Sequence, residues 1–216
     1  MKRVSALLLI IGLMFVWSCT QETIPQSVEL FNGENFDGWT LFLPGDSVAV
    51  EDVWSIKDGV VHCTGQPNGY MRTNEIFSNY KLTLDWRWVD EPSNSGVLLH
   101  CQGENQVWPN CVECQLKAGN AGDFVLIGAG EITVQDTTYV NEERFLVIEK
   151  FNESNENEPG EWNTYSIVCD GASIQCTVNG VLQNSGIEAS VESGFIALQS
   201  EGSPIEFRNI ILTPLQ

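Results

Sequence analysis

Lys81-Leu-Thr-Leu-Asp-Trp-Arg-Trp88 decides the fold class, because its apolar and polar residues alternate without a break. Leu82, Leu84, Trp86 and Trp88 form one face, and Lys81, Thr83, Asp85 and Arg87 form the other. Strict alternation over eight residues describes a β-strand with one face buried and one wet. The same grammar recurs outward from it. Val53 to Ile56 and Val60 to Thr64 flank Lys57-Asp58-Gly59, and Tyr165 to Gly180 reads as strand, Asp-Gly turn, strand. Gly194 to Gln199 and Ile205 to Leu212 read as late strands. Helical periodicity is almost absent after the first residues, so the expectation is an all-β sandwich or barrel in one domain. Glu153 to Glu161 reads as an exposed acidic loop.

The amino terminus has a different character. Lys2 and Arg3 precede a nearly unbroken apolar run, Ala6 to Trp17, which ends in Val16-Trp17-Ser18-Cys19. The run is short for a spanning helix and suits a signal peptide. Ser18-Cys19 fits a lipobox, with bulky Trp17 a departure from it. Residues 1–18 are therefore expected to be a lipoprotein signal peptide, 19–27 the lipidated Cys19 and a polar tether, and 28–216 the domain. The expected location is the periplasm or surface of a Gram-negative bacterium, with the membrane reached through the lipid. Acidic residues outnumber basic ones 29 to 10, a formal net charge of −19. Such a surface repels nucleic acid and anionic lipid, so neither is expected as a partner.

Of seven cysteines, six lie in the domain. Across an Asp170–Ser173 turn, Cys169 faces Ile174 and Ile167 faces Cys176, which puts the two thiols on a diagonal unsuited to a disulfide. Free, inward-facing thiols are expected, with Cys111 nearest the polar face. Cys111-Val-Glu-Cys114 has the spacing of a zinc half-site, but no second pair completes it.

Three strand segments carry bulky polar groups on one side. These are Asp85 and Arg87, then Leu98 with His100, then Glu113, Gln115 and Lys117 opposite Val112, Cys114 and Leu116. If the strands are neighbours, the polar groups line one groove suited to sugar hydroxyls. His100 is one of two histidines and the natural proton carrier near neutral pH. Trp108 in a loop offers a plate for a sugar ring. Asn94-Ser-Gly96 and Gly119-Asn-Ala-Gly-Asp123 are turns that bring short polar groups, among them Asn94, Asn120 and Asp123, toward a ligand.

At these residues a resemblance becomes specific. Leu30-Phe-Asn-Gly33 with Gly38-Trp39, Val53 to Gly59, Tyr80 to Arg87, Asn94 to His100, Glu113-Cys-Gln115, Gly119 to Asp123, Gly160-Glu-Trp-Asn163, Val178-Asn-Gly180, Gly194 to Gln199 and Phe207-Arg-Asn-Ile210 occur in order. Together they resemble the 3-keto-disaccharide hydrolase domain family over essentially all of the mature chain. His100 stands where many relatives have Arg, and Cys114 fills the middle of the family's Glu-x-Gln. The resemblance implies a concanavalin A-like jelly-roll of two antiparallel sheets. It also implies cleavage of glycosides oxidised at C3, by elimination across C2 and C1 and then hydration. On that reading Glu113 or His100 is the base, and Arg87, Lys117 and Gln115 bind the developing enolate or hydroxyls. Asp85 orients Arg87, and Trp108 stacks on the sugar. No cofactor is required, although a divalent metal held by His100 and carboxylates is a compatible alternative. The partner is a small carbohydrate or glycoside, and the competing reading is a non-catalytic carbohydrate-binding lipoprotein.

Overall fold

A computed structural model describes residues 26–215, so the expected signal peptide and Cys19 lie outside the described residues. In chain order the strands open with β1 (Val28–Glu29), β2 (Trp39–Phe42), β3 (Trp54–Lys57), β4 (Val60–Cys63), β5 (Gly69–Thr73) and β6 (Tyr80–Trp88). They continue with β7 (Gly96–Gln102), β8 (Asn110–Gln115), β9 (Phe124–Ile127), β10 (Gly130–Val134), β11 (Thr137–Asn141) and β12 (Phe145–Ile148). The last are β13 (Asn163–Asp170), β14 (Ser173–Val178), β15 (Val181–Gly186), β16 (Phe195–Ser200) and β17 (Ile205–Pro214). A single helical turn, Val50–Val53, precedes β3. No helix among the described residues is long and apolar enough to cross a membrane.

The first sheet runs β15-β14-β13-β6-β17-β4-β3, with β1 also pairing β17. The second runs β12-β9-β8-β7-β16-β5-β2, and β10 with β11 forms a separate hairpin. All pairings are antiparallel. This is the two-layer jelly-roll sandwich expected of the alternating strands.

The stretch Lys81–Trp88 sits at the centre of the first sheet and alternates as its sequence requires. Leu82, Leu84, Trp86 and Trp88 are buried, while Lys81 is exposed and Thr83, Asp85 and Arg87 are half-buried. Each large side chain buried contributes about 1.5–3 kcal/mol relative to exposure, and a one-residue slip would turn all four outward. Facing them across the interior are Val97, Leu99, Val112, Cys114, Phe124, Leu126, Ile196 and Leu198 of the second sheet. Ile167 pairs with Cys176 and Cys169 with Ile174, which is the diagonal arrangement expected of the thiols. All six domain cysteines are free and buried.

One local departure moves a site residue. Between Leu99 and Gln102 the β7–β8 register shifts, and His100 adopts a positive φ of 55°. This bulge inserts a residue, so His100 turns inward and Cys101 turns outward, reversing the alternation expected from Val97 onward. Gly194 of the neighbouring segment makes room, since a Cβ there would lie 2.3 Å from the His100 carbonyl carbon.

Candidate functional site

The outer face of the second sheet carries the polar groups of β8. Leu98 pairs with Glu113 and Gly96 with Gln115, so β7 is bare at Gly96 beside two long polar side chains. That bareness is required: a Cβ on Gly96 would sit 2.0 Å from Glu113 Oε1. The carboxyl lies in the space a side chain would fill, and Glu113 is only 4% exposed. The Gln115 amide nitrogen, turned toward it, has three acceptors for its two hydrogens: Glu113 Oε1 at 2.9 Å, Asn94 Oδ1 at 3.0 Å and the Ser95 carbonyl at 3.0 Å. Burial first, and the charge of Glu201 second, push the Glu113 carboxyl up to about 8. It therefore holds its proton at neutral pH. Burial also raises Glu201, opposed by a hydrogen bond from Asn94 and by the positive charge of Lys117.

These groups floor a recess of about 220 Å³, lined by Asn94, Trp108, Glu113, Gln115, Val125, Phe145, Val147 and Glu201. One end is polar and the other apolar. Trp108 meets Phe145 edge to face, with ring centroids 5.3 Å apart and planes at 89°. Phe145 and Val147 project from edge strand β12, directly opposite Ile127 and Val125 on β9.

The structure thus brings together Glu113, Gln115, Asn94 and Trp108 from the expected set, with Lys117 at the rim through its charge. The remaining residues go elsewhere, which corrects the single shared groove. Strand β6 belongs to the other sheet, so Asp85 and Arg87 lie on the opposite outer surface of the sandwich. There Arg87 Nε donates to Glu206 Oε2 at 2.6 Å, and His62 Nδ1 lies 2.8 Å from Glu206 Oε1. Asp85 accepts from Thr164, Arg208 and Asn209 and does not orient Arg87. Trp162 packs against both guanidiniums, at 4.5 Å from Arg87 and 3.9 Å from Arg208.

His100 is fully buried in the interior, edge-on to Tyr80 at 5.7 Å. Its Nδ1 donates to the Val191 carbonyl at 3.1 Å, which leaves Nε2 unprotonated, and burial lowers its basicity. A histidine buried between the sheets, with its ring against Tyr80, does not face the recess that Glu113 lines. Asn120 and Asp123 are ties of the β8–β9 turn. Asn120 Nδ2 donates to Asp123 Oδ2 at 3.1 Å, Asp123 Oδ1 accepts from the Lys150 backbone at 2.9 Å, and Lys150 Nζ reaches the Gly119 carbonyl.

Two features escaped sequence reasoning. Glu201 lies one residue past β16, two beyond Gln199, whose parity carries it to the same face; the strand reading stopped at Gln199. The apolar wall comes from Phe145-Leu-Val-Ile148, a short edge strand whose alternation puts Phe145 and Val147 outward. Among the described residues no three His, Cys, Asp or Glu side chains converge as a metal-binding group. With His100 in the core, no step is assigned to a metal. Cys111 reaches the outer face, as expected, and Cys101 joins it there through the bulge.

The fold is shared with solved structures at low identity. A candidate glycosyl hydrolase of Parabacteroides distasonis superposes with a TM-score of 0.64 at 23% identity, covering 88% of this chain and 94% of that one. A Bacillus licheniformis β-glucanase gives 0.57 at 10% identity over 91% and 100% of the two chains. A carbohydrate-binding module of Bacillus subtilis gives 0.56 at 8% over 80% and 93%. These likenesses establish the concanavalin-like jelly-roll. No curated protein matches the chain. The model of one family does match, over residues 26–213, and the chain belongs to it: the 3-keto-alpha-glucoside-1,2-lyase-like domains.

Proposed function

We propose that the recess on the second sheet cleaves 3-keto-glycosides, with Glu113 and Glu201 as an acid–base pair. The observation that carries this reading is the burial of the Glu113 carboxyl over Gly96, facing the charge of a second carboxylate. Two like groups whose environments separate their proton affinities divide the roles of donor and acceptor. A ketone at C3 acidifies the hydrogen on C2. Glu201, half-buried and balanced by Lys117, takes that proton, and the electron pair passes into an enolate. The enolate collapses to a C1–C2 double bond as the C1–O bond breaks, and the departing oxygen receives the proton of Glu113. Lys117 supplies positive charge to the enolate. In hydration the Glu113 carboxylate takes a proton from the water that adds at C1, and Glu201 returns its proton to C2. Both carboxyls then stand as they began.

The test is incubation of the protein with 3-keto-α-glucosides beside their unoxidised parents, following released aglycone. Release from the ketosides alone supports the reading. Release from the unoxidised parents would make the pair an ordinary glycosidase dyad. Sugar binding without release would leave a carbohydrate-binding module. Glu113→Gln and Glu201→Gln should each lower turnover by roughly 10²–10⁴. Export and anchoring through Cys19 belong to the same proposal: Cys19→Ala should move the protein from the membrane to the soluble fraction, and an unchanged distribution would refute it.

A further inference from the structure

We infer that the apolar end of the recess holds an aromatic aglycone, so that the substrates are aryl glycosides rather than disaccharides. This rests on the reading of the polar end as the sugar site. The wall consists of Trp108, Val125, Phe145 and Val147, and it is continuous with Glu113 and Glu201 in one cavity. None of those four offers a carboxylate, amide or hydroxyl. A second sugar can stack one apolar face on Trp108, but its edge hydroxyls find no side-chain partner in Val125, Phe145 or Val147. A flat aromatic ring loses nothing there. The perpendicular Trp108 and Phe145 rings form a corner in which a third ring meets one face and one edge, the two favoured aromatic geometries.

Exposure strengthens the case. Phe145 is 42% and Val147 52% exposed, side by side on the outermost strand of the sheet. Large apolar side chains on an edge strand invite aggregation, and proteins ordinarily place charges there. Here the cation is at the rim: the Arg144 guanidinium lies 5.4 Å from the Phe145 ring and 6.0 Å from Trp108. It makes no ion pair among the described residues. In a chain of net charge −19, a guanidinium left without a carboxylate is placed to meet an oxygen substituent on the bound ring.

The experiment compares kcat/KM for phenyl, cyclohexyl and methyl 3-keto-α-glucosides and a 3-keto-disaccharide. Phenoxide leaves more readily than an alkoxide, so the aromatic site is read from the variants: Phe145→Ala should lower the phenyl-to-methyl ratio severalfold while the methyl substrate is little affected. Val147→Thr, which keeps a β-branched residue in the strand, should lower the same ratio. Equal rates for phenyl and disaccharide substrates, or a phenyl-to-methyl ratio untouched by both variants, would overturn the inference. If no ketoside is cleaved, the catalytic reading fails, and the wall is judged by equilibrium binding alone. Unoxidised phenyl glucoside should then bind at least tenfold tighter than methyl glucoside, with the difference lost in Phe145→Ala. Equal affinities would refute the aromatic site.

Discussion

Replacing Glu113 by Gln exchanges a carboxyl for its neutral isostere and leaves an oxygen to accept from Gln115. The carboxyl titrates at about 8 in the folded protein against an ordinary value of 4.5. Between those values the folded state holds one proton more than the unfolded state, so stability falls as pH rises through the window. The loss is absent below the ordinary value and complete above about 8. Each pH unit within it removes about 1.4 kcal/mol, so at neutral pH the wild type gives up roughly 3 kcal/mol that the variant keeps. For a domain of this size that is a rise in Tm of roughly 6–12 °C. Near pH 4 the two proteins should melt together. Thermal melts by circular dichroism from about pH 4 to 9 measure the divergence, and parallel curves would refute the burial of an uncompensated carboxyl. The same variant should be nearly inactive, and its stabilisation would show what the site gives up in stability to keep a proton near neutral pH.

Gly96→Ala places a methyl where the Glu113 carboxyl now lies, so turnover should fall by roughly 10² or more with the far-ultraviolet spectrum unchanged; kinetics and circular dichroism check both. His100→Ala removes the bond to Val191 and leaves a hole beside Tyr80. Urea unfolding should show a loss of about 2–4 kcal/mol, with KM unchanged. Arg87→Ala leaves Glu206 with His62 alone and should lower stability by about 1–2 kcal/mol without altering turnover, measured by the same two assays. The six domain thiols should react with a maleimide only after denaturation; labelling of the folded protein would contradict their burial.

The architecture was legible because burial acts on one residue in two, and Leu82-x-Leu84-x-Trp86-x-Trp88 records that rule directly. The hairpins at Asp58-Gly59, Asp170-Gly171 and Asn179-Gly180 were legible for a similar reason: turn chemistry is local. Placement of the site was legible only in part. Parity puts Glu113 and Gln115 on one face and Asp85 and Arg87 on a polar face, but parity does not say which sheet a strand joins. The polar faces of β6 and β8 lie on opposite surfaces of the sandwich, and nothing local in either segment records it. His100 failed for a different reason. A bulge advances the alternation by one residue, and its cause lies partly in Gly194, about ninety residues away along the chain. Glu201 was missed because the strand that delivers it ends one residue earlier.

The two outer surfaces of the sandwich differ in how their charges are resolved, and this difference separates a structural cluster from a site. On the first sheet, Glu206 is 5% exposed yet meets both His62 and Arg87, and Asp85 accepts from three donors. Both carboxylates of this cluster have their counterparts, so it has little left to offer a ligand. On the second sheet, Glu113 is equally buried with the Gln115 amide against it, and the charge that acts on it, that of Glu201, has the same sign. Gln199, on the same face and paired with Tyr70, has both amide atoms buried without partners. Polar groups left this way lower stability, and on this face they remain free to meet a ligand. The sequence marks both surfaces alike, as charged residues on alternate strand positions. Only the pairing of those charges identifies the surface on which a proton remains available.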